Sequence, residues 1–154
     1  MAEVILNVNG GNNAVEVDPE SPLLCVLIDA YGLKGPKLGC GLAQCGSCTV
    51  LMDGVPYRSC TLAVSEATGK IVTLEGLGTM ENPHPIQRAF IEEQALQCGF
   101  CLSGPMLYGK AFIDKNPGAN EAPIQEALSG ILCPCYGNPR MVKALMRYAK
   151  EVKA

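Results

Sequence analysis

The chain has 154 residues, a net charge of −3 at neutral pH and no basic run. This balance argues against nucleic acid as a partner. No apolar stretch reaches the roughly 18 residues of a membrane helix, so we expect no direct membrane insertion.

The cysteine content indicates metal or redox chemistry. The segment 1–4 lacks the basic and apolar regions of a secretory signal, which predicts a cytoplasmic protein. A periplasmic or membrane-associated location is expected only if a partner carries the chain out. Nine cysteines in a reducing compartment usually bind metal or act in redox chemistry, rather than forming disulfides.

The first half is predicted to form a small sheet around one helix. Alternating apolar residues at 4–8 and 14–17, separated by turn residues, predict a hairpin. Ser21 followed by proline predicts the N-cap of a short helix that ends near Gly32. The remaining strands are predicted at 49–52, 55–58 and 71–74. Two hairpins, a helix and a closing strand are typical of the ferredoxin-like β-grasp.

The second half has helical periodicity. His84, which lies between two prolines, is expected in a turn or at a helix entry. The four predicted helices run from Ile86 to near Gly99, over 102–113, over 123–128 and from Asn138 to about Val152. The fold class is therefore α+β, with a plant-type ferredoxin β-grasp domain at 1–77 and a four-helix-bundle domain at 78–154.

Four cysteines of the first half have the spacing of plant-type 2Fe-2S ligands. Cys40, Cys45 and Cys48 follow the pattern C-x4-C-x2-C, and Cys60 comes eleven residues later. Neighbouring glycines allow the backbone to fold closely around a cluster. Zinc and disulfides are the alternatives, but zinc usually takes two CxxC-like knuckles. The spacing therefore favours iron–sulfur.

A second set of four cysteines belongs to the helical half. Cys98 and Cys101 form a CxxC pair, and Cys133 and Cys135 form a CxC pair 31 residues later. Spacing alone leaves zinc and iron–sulfur equally open. Both pairs lie between predicted helices, so a shared site would cross-link the bundle. Cys25 is predicted to pack in the core, since it lies in an apolar run.

Taken together, the two sets closely resemble the small iron–sulfur subunit of the molybdenum hydroxylases, the xanthine oxidase family. The motif from Gly39 to Val50 resembles the family's first-cluster motif, and the segment from His84 to Gly104 resembles its second. Details of both motifs are most similar to the small subunits of isoquinoline 1-oxidoreductase and bacterial aldehyde dehydrogenases.

The resemblance implies two 2Fe-2S clusters, with a molybdopterin, in its cytosine dinucleotide form, bound by a separate large subunit. It implies that Gln97 and Cys135 approach the pterin. Electrons would run from molybdenum to the second cluster, then to the first, and on to a flavin or cytochrome c subunit. Pro134 and Tyr136 depart from the family pattern, and Pro134 offers no N–H to a sulfur or to the pterin.

The sequence thus supports an electron-transfer subunit of a molybdopterin-dependent oxidoreductase that acts on an aldehyde or an N-heteroaromatic compound. Two alternatives remain: a freestanding ferredoxin-like carrier and a zinc-stabilised interaction module. An exposed apolar patch around Phe100, Leu102 and Met106 would argue against the carrier, because an obligate partner normally covers such a surface.

Overall fold

The computed structural model describes residues 1–153 and contains a five-stranded mixed sheet and five α-helices. The strands are β1 (Ala2–Val8), β2 (Gly11–Val17), β3 (Thr49–Met52), β4 (Val55–Arg58) and β5 (Lys70–Val72). The helices are α1 (Leu23–Asp29), α2 (Pro85–Glu92), α3 (Ser103–Lys115), α4 (Glu121–Ala127) and α5 (Asn138–Lys153). The strand order is β2-β1-β5-β3-β4, with β1 parallel to β5 and the other neighbours antiparallel.

Both predicted hairpins are confirmed, and each closes through a two-residue turn. Asn9 and Gly10 have φ values of 53° and 84°, and Asp53 and Gly54 have values of 49° and 78°. Two successive positive φ values match the twist of antiparallel strands. Because the first turn needs only two residues, β2 begins at Gly11, earlier than the sequence pattern indicated.

The predicted capping role of Ser21 is wrong. Helix α1 begins at Leu23, its N-cap is Pro22, and no side chain caps it. Pro22 has an extended backbone, so Ser21 lies one residue outside the helix, where its carbonyl accepts a hydrogen bond from Val64. The helix nevertheless buries Leu23 and Leu27 against the sheet.

Four helices follow in the second half, as predicted, but α2 is shorter than expected. It ends at Glu92, and Gln94 adopts a left-handed φ of 50°. The N–H of Ala95 then bonds to the carbonyl of Phe90. This αL reversal ends the helix before Gly99 and frees a loop that carries the CxxC pair.

Two main apolar clusters and a contact between them organise the core. One cluster lies between the sheet and α1, and the other lies among α2 to α5. Leu51 of β3 packs with Leu107 and Ala111 of α3, so the sheet and the bundle touch directly. Among residues 1–153, no helix combines the length and apolar character needed to cross a membrane.

Candidate metal centres

The loop before β3 brings the thiols of Cys40 and Cys45 together. The backbone N–H groups of Leu42, Gln44 and Cys45 each donate to Cys40 Sγ at 3.3 Å, and the Cys40 N–H donates to Cys45 Sγ at 3.4 Å. The Cys45 N–H is the main cause of a lowered Cys40 pKa, about 6, followed by the other two donors. The loop is thus shaped to stabilise a thiolate.

The other pair of the first set is buried. Cys48 and Cys60 lie beside Leu24 in a small apolar cluster, and both are shielded from solvent. Burial is the main cause that raises the Cys48 pKa to about 11; the Cys60 thiol raises it further, whereas the Cys60 amide and the charge of Arg58 lower it. The first set therefore has one buried pair and one pair nearer the surface.

The second set has the same organisation. Cys98 is exposed and contacts Cys135; the Phe100 N–H is the main cause that lowers the Cys98 pKa. Cys101 is buried and contacts Cys133. Burial raises the pKa of Cys101 to about 12, and the Cys133 thiol adds to this rise.

The cysteines therefore meet in pairs rather than around single points. Among residues 1–153, no three histidine, cysteine or acidic side chains converge as ligands of one metal ion. A tetrahedral zinc site needs four ligands around one ion, whereas a 2Fe-2S cluster takes two ligands on each iron. The residues present thus fit a dinuclear centre in each set.

Cys25 does not pack in the core, which corrects the sequence prediction. Its neighbours Leu24 and Val26 are buried, but the Cys25 side chain is on the exposed face of α1. The prediction from the apolar run was wrong because a short helix on a sheet turns one face to solvent even when most of its residues are apolar.

A direct hydrogen bond joins the two sets. The N–H of Leu132 donates to the carbonyl of Cys45 at 2.9 Å, and Leu132 immediately precedes Cys133. An open groove of about 450 Å³ runs beside this bond. The first-half residues that line it are Gly39, Cys40, Cys45 and Ser47, and the second-half residues are Phe100, Leu132, Cys133, Pro134 and Tyr136.

The predicted apolar patch is present in part and centred elsewhere. Phe100 is exposed, but Leu102 is half-buried and Met106 is buried among the helices. The exposed apolar side chains beside Phe100 in the groove are instead Leu132 and Tyr136, which are 58% and 88% exposed. The surface is thus formed by the CxC loop rather than by the first turn of α3.

Gln97 lies at the surface next to the exposed pair. Its side chain is exposed, it precedes Cys98, and Cys98 contacts Cys135. The two residues expected to approach a pterin therefore share one exposed end of the helical half.

Sequence reasoning missed two polar contacts that connect the halves. Arg58 donates to Gly130 of the other half, and Ser103 donates to the carbonyl of Gly35. Their partners are main-chain atoms distant in sequence. No pattern in the sequence identifies such atoms, because every residue type carries the same carbonyl.

Comparison with known proteins gives consistent matches. Residues 73–146 match the family described as 2Fe-2S binding domain. The chain is 45% identical over 148 residues to a nicotinate dehydrogenase subunit of Pseudomonas putida, covering 96% of this chain and 94% of that one. It is 42% identical over 152 residues to the alpha subunit of isoquinoline 1-oxidoreductase of Brevundimonas diminuta, covering 98% and 99%. The structure of quinoline 2-oxidoreductase from Pseudomonas putida 86 superposes with a TM-score of 0.92 at 34% identity, covering 99% and 96%.

Proposed function

The chain belongs to the small iron–sulfur subunits of the molybdenum hydroxylase family, and on this basis we propose that its eight paired cysteines hold two 2Fe-2S clusters. The ligands of the first cluster are Cys40, Cys45, Cys48 and Cys60. The ligands of the second are Cys98, Cys101, Cys133 and Cys135. The pairing of thiols in each set supports this assignment.

The protein is the electron-transfer subunit of a molybdopterin-dependent oxidoreductase, whose catalytic molybdenum site is in a partner subunit. A bound 2Fe-2S cluster supplies reversible one-electron chemistry. This chain's own contribution is to hold the thiolates, to shield them from water and to aim backbone N–H groups at the sulfurs. These are the features by which a protein sets a cluster's potential.

One observation supports the transfer of electrons from one centre to the other: the Leu132 N–H donates a hydrogen bond to the Cys45 carbonyl. It connects a residue of the first set with the neighbour of Cys133 in the second set. Only peptide bonds, side-chain bonds and this one hydrogen bond separate the two sulfur sites.

The chain divides into a β-grasp domain at 1–77 and a four-helix-bundle domain at 78–154. Separate apolar clusters for the sheet and for the helices support this division. The contact of Leu51 with α3 then forms part of an interdomain interface. The second half would fold around its own cysteine set.

The molybdopterin-binding subunit covers the exposed end of the second set. Gln97 and Cys135 contact the pterin there, and the exposed side chains of Phe100, Leu132 and Tyr136 are buried by the partner. An exposed apolar surface of this kind favours an obligate subunit over a freestanding carrier. The pterin is the cytosine dinucleotide form.

The first set faces the electron acceptor, a flavin or cytochrome c subunit. The substrate of the complex is an N-heteroaromatic compound or an aldehyde, and similarity to subunits named for nicotinate and isoquinoline supports the first class. The cytoplasmic location expected from the sequence stays a prediction.

The ligand assignment is tested by iron analysis and electron paramagnetic resonance of the purified complex. We expect about four iron atoms per copy of this chain and two distinguishable signals after reduction with dithionite. In Cys98→Ser, the second signal is lost or altered and acceptor reduction stops, while substrate still reduces the large subunit.

Cys25→Ser is the matched control, because Cys25 is exposed and belongs to neither set. Its iron content and both signals should equal those of the unmodified complex. Zinc in place of iron, a single signal, or rapid acceptor reduction by Cys98→Ser would contradict the assignment.

A further inference from the structure

The side chain of Arg58, at the end of β4, connects the two cysteine loops. Its Nε donates to the Ala43 carbonyl at 3.3 Å, its Nη1 to Thr49 Oγ1 at 2.5 Å and its Nη2 to the Gly130 carbonyl at 3.0 Å. Ala43 lies inside the first cysteine loop, and Gly130 lies three residues before Cys133. The planar guanidinium thus spans both halves.

The guanidinium is fixed close to the first set. Its Cζ lies 4.8 Å from the centre of the Tyr108 ring, a cation–π distance. Thr49 connects the guanidinium to the cysteine loop, because its hydroxyl accepts from Arg58 and donates to the Gly46 carbonyl at 2.6 Å. A Cβ at Gly46 would lie only 2.8 Å from Arg58 Nη1, so the charge rests against the residue that follows Cys45.

The charge of Arg58 is half-buried and has only neutral partners: two carbonyls, a hydroxyl and a ring. Within residues 1–153, the salt bridges involve Arg88, Lys110 and Arg147, but not Arg58. A partly buried charge without an opposite charge is costly. The four thiolates of the proposed first cluster, three in the neighbouring loop and Cys60 just after β4, would supply the missing negative charge.

We propose that Arg58 is a positioning residue that clamps the two cysteine loops together, and that its charge favours the reduced state of the first centre. This inference rests on the proposed function, since it requires the first set to hold a redox centre. The step concerned is the uptake of one electron there, from dithionite in the test, with no bond formed or broken. The added negative charge is stabilised by a fixed cation that is partly shielded from water.

Three substitutions in the purified complex distinguish the effect of the Arg58 charge from the effect of its hydrogen bonds. Midpoint potentials are measured by redox titration and paramagnetic resonance. Arg58→Gln removes the charge. At a fixed potential, we expect its ratio of reduced to oxidised first centre to fall at least tenfold, about 59 mV for a one-electron couple. Arg58→Lys keeps the charge and should stay within about threefold of the original ratio. Arg88→Gln, in the helical half, should leave the ratio of reduced to oxidised first centre unchanged.

Hydrogen exchange of the iron-loaded complex measures how firmly Arg58 holds the two cysteine loops together. Lysine cannot reproduce three directed contacts, so amides at 43–46 and 130–133 should exchange at least tenfold faster in both Arg58→Lys and Arg58→Gln. If Arg58→Gln fails to keep its iron, Tyr108→Leu serves instead: it leaves the charge but removes the ring that fixes it, and should lower the ratio about threefold.

Clear outcomes would overturn the inference. An unchanged first-centre potential in iron-loaded Arg58→Gln, or in Tyr108→Leu where it is needed, would show that the charge has no such role. Unchanged hydrogen exchange at these amides in Arg58→Lys would show that Arg58 does not hold the two loops together. Failure of the unmodified complex to give two signals would instead overturn the proposed function.

Discussion

At the scale of single residues, each cysteine set combines thiols in opposite environments. In the first set, backbone N–H groups lower the Cys40 pKa to about 6, while burial raises that of Cys48 to about 11. A metal ion binds the thiolate, so loading iron must remove a proton from the buried thiol.

Gly46 is the residue at which the first loop is tightest. Its φ is +87°, and a Cβ there would lie 2.6 Å from Ile131 Cδ1 as well as against Arg58. We expect Gly46→Ala to reduce the free energy of unfolding by about 2–4 kcal/mol, from left-handed strain plus a steric clash. A urea titration of the iron-loaded protein, followed by visible absorption, measures this.

Gly54→Ala is a matched control for that variant. Gly54 also has a positive φ, +78°, but a Cβ added there would meet nothing within 4 Å. It should cost only about 1–2 kcal/mol and leave the iron content unchanged. Equal effects at the two positions would show that crowding between the loops is unimportant.

At the scale of elements, the start of α2 shows how a helix is attached to the sheet. His84 Nδ1 accepts a hydrogen bond from the Ile86 N–H at 3.2 Å, and Gln87 Oε1 accepts one from the His84 N–H at 2.9 Å. Gln87 also donates to the Leu74 carbonyl at 3.1 Å, just beyond β5. The cap therefore fixes the first helix of the bundle to the end of the sheet.

This cap should make stability depend on pH. Burial is the main cause that lowers the His84 pKa; Lys110 and Arg88 lower it further, while Asp114 and Glu151 raise it. The folded protein therefore binds the proton more weakly than the unfolded chain. The stabilisation is complete above the unfolded pKa, about 6.5, and is lost as the pH falls through the folded pKa.

His84→Asn tests this dependence, because asparagine can cap a helix without titrating. We expect the variant to lose less stability than the unmodified protein between pH 7.5 and 5. Melting temperatures of the iron-loaded proteins, compared pairwise at each pH, give the difference. If melting temperature falls with pH equally in both proteins, a group other than His84 causes the pH dependence.

At the scale of the whole molecule, a polar network ties the first cysteine loop to both halves. Glu75 Oε1 accepts from the N–H groups of Lys34 and Gly35 at 2.8 and 2.6 Å. The Gly35 carbonyl accepts from Ser103 Oγ at 2.7 Å, and Ser103 is fully buried at the start of α3. Glu75, just beyond β5, and Ser103 of α3 therefore both hold the segment that leads to Cys40.

Ser103→Ala should loosen this connection. Removing one partner of a buried hydrogen bond costs about 1–3 kcal/mol, and we expect that loss in urea unfolding. Ser129→Ala, an exposed serine of the same half, should stay within about 0.5 kcal/mol. A Ser103→Ala variant as stable as the control would contradict a structural role for the contact.

The second metal centre should also act as a cross-link of the helical half. Cys101 precedes α3 and Cys133 precedes α5, so a shared centre joins loops that are distant in sequence. We expect Cys101→Ser to cost about 2–5 kcal/mol, as the loss of a cross-link does. Its melting temperature should fall by roughly 5–15 °C, while that of Cys25→Ser is unchanged.

Local patterns in the sequence were sufficient for most elements. The alternation at 4–8, the Asp53–Gly54 turn and the helical spacing of the second half predicted their structures correctly, because strand, turn and helix depend on nearby residues. One error was decided by a contact distant in sequence and the other by a local turn. Ser21 lost its capping role beside the Val64 segment, and the αL turn at Gln94 ended α2 early.

The sequence by itself determined the two cysteine sets and their resemblance to the family, because residue identity and spacing are properties of the chain. Only the tertiary structure decided which thiols pair, that Cys25 faces solvent, and that Arg58 and Ser103 bridge the halves. Those facts depend on how two separately patterned halves pack against each other. Their contacts join side chains to main-chain carbonyls, which carry no signal in the sequence.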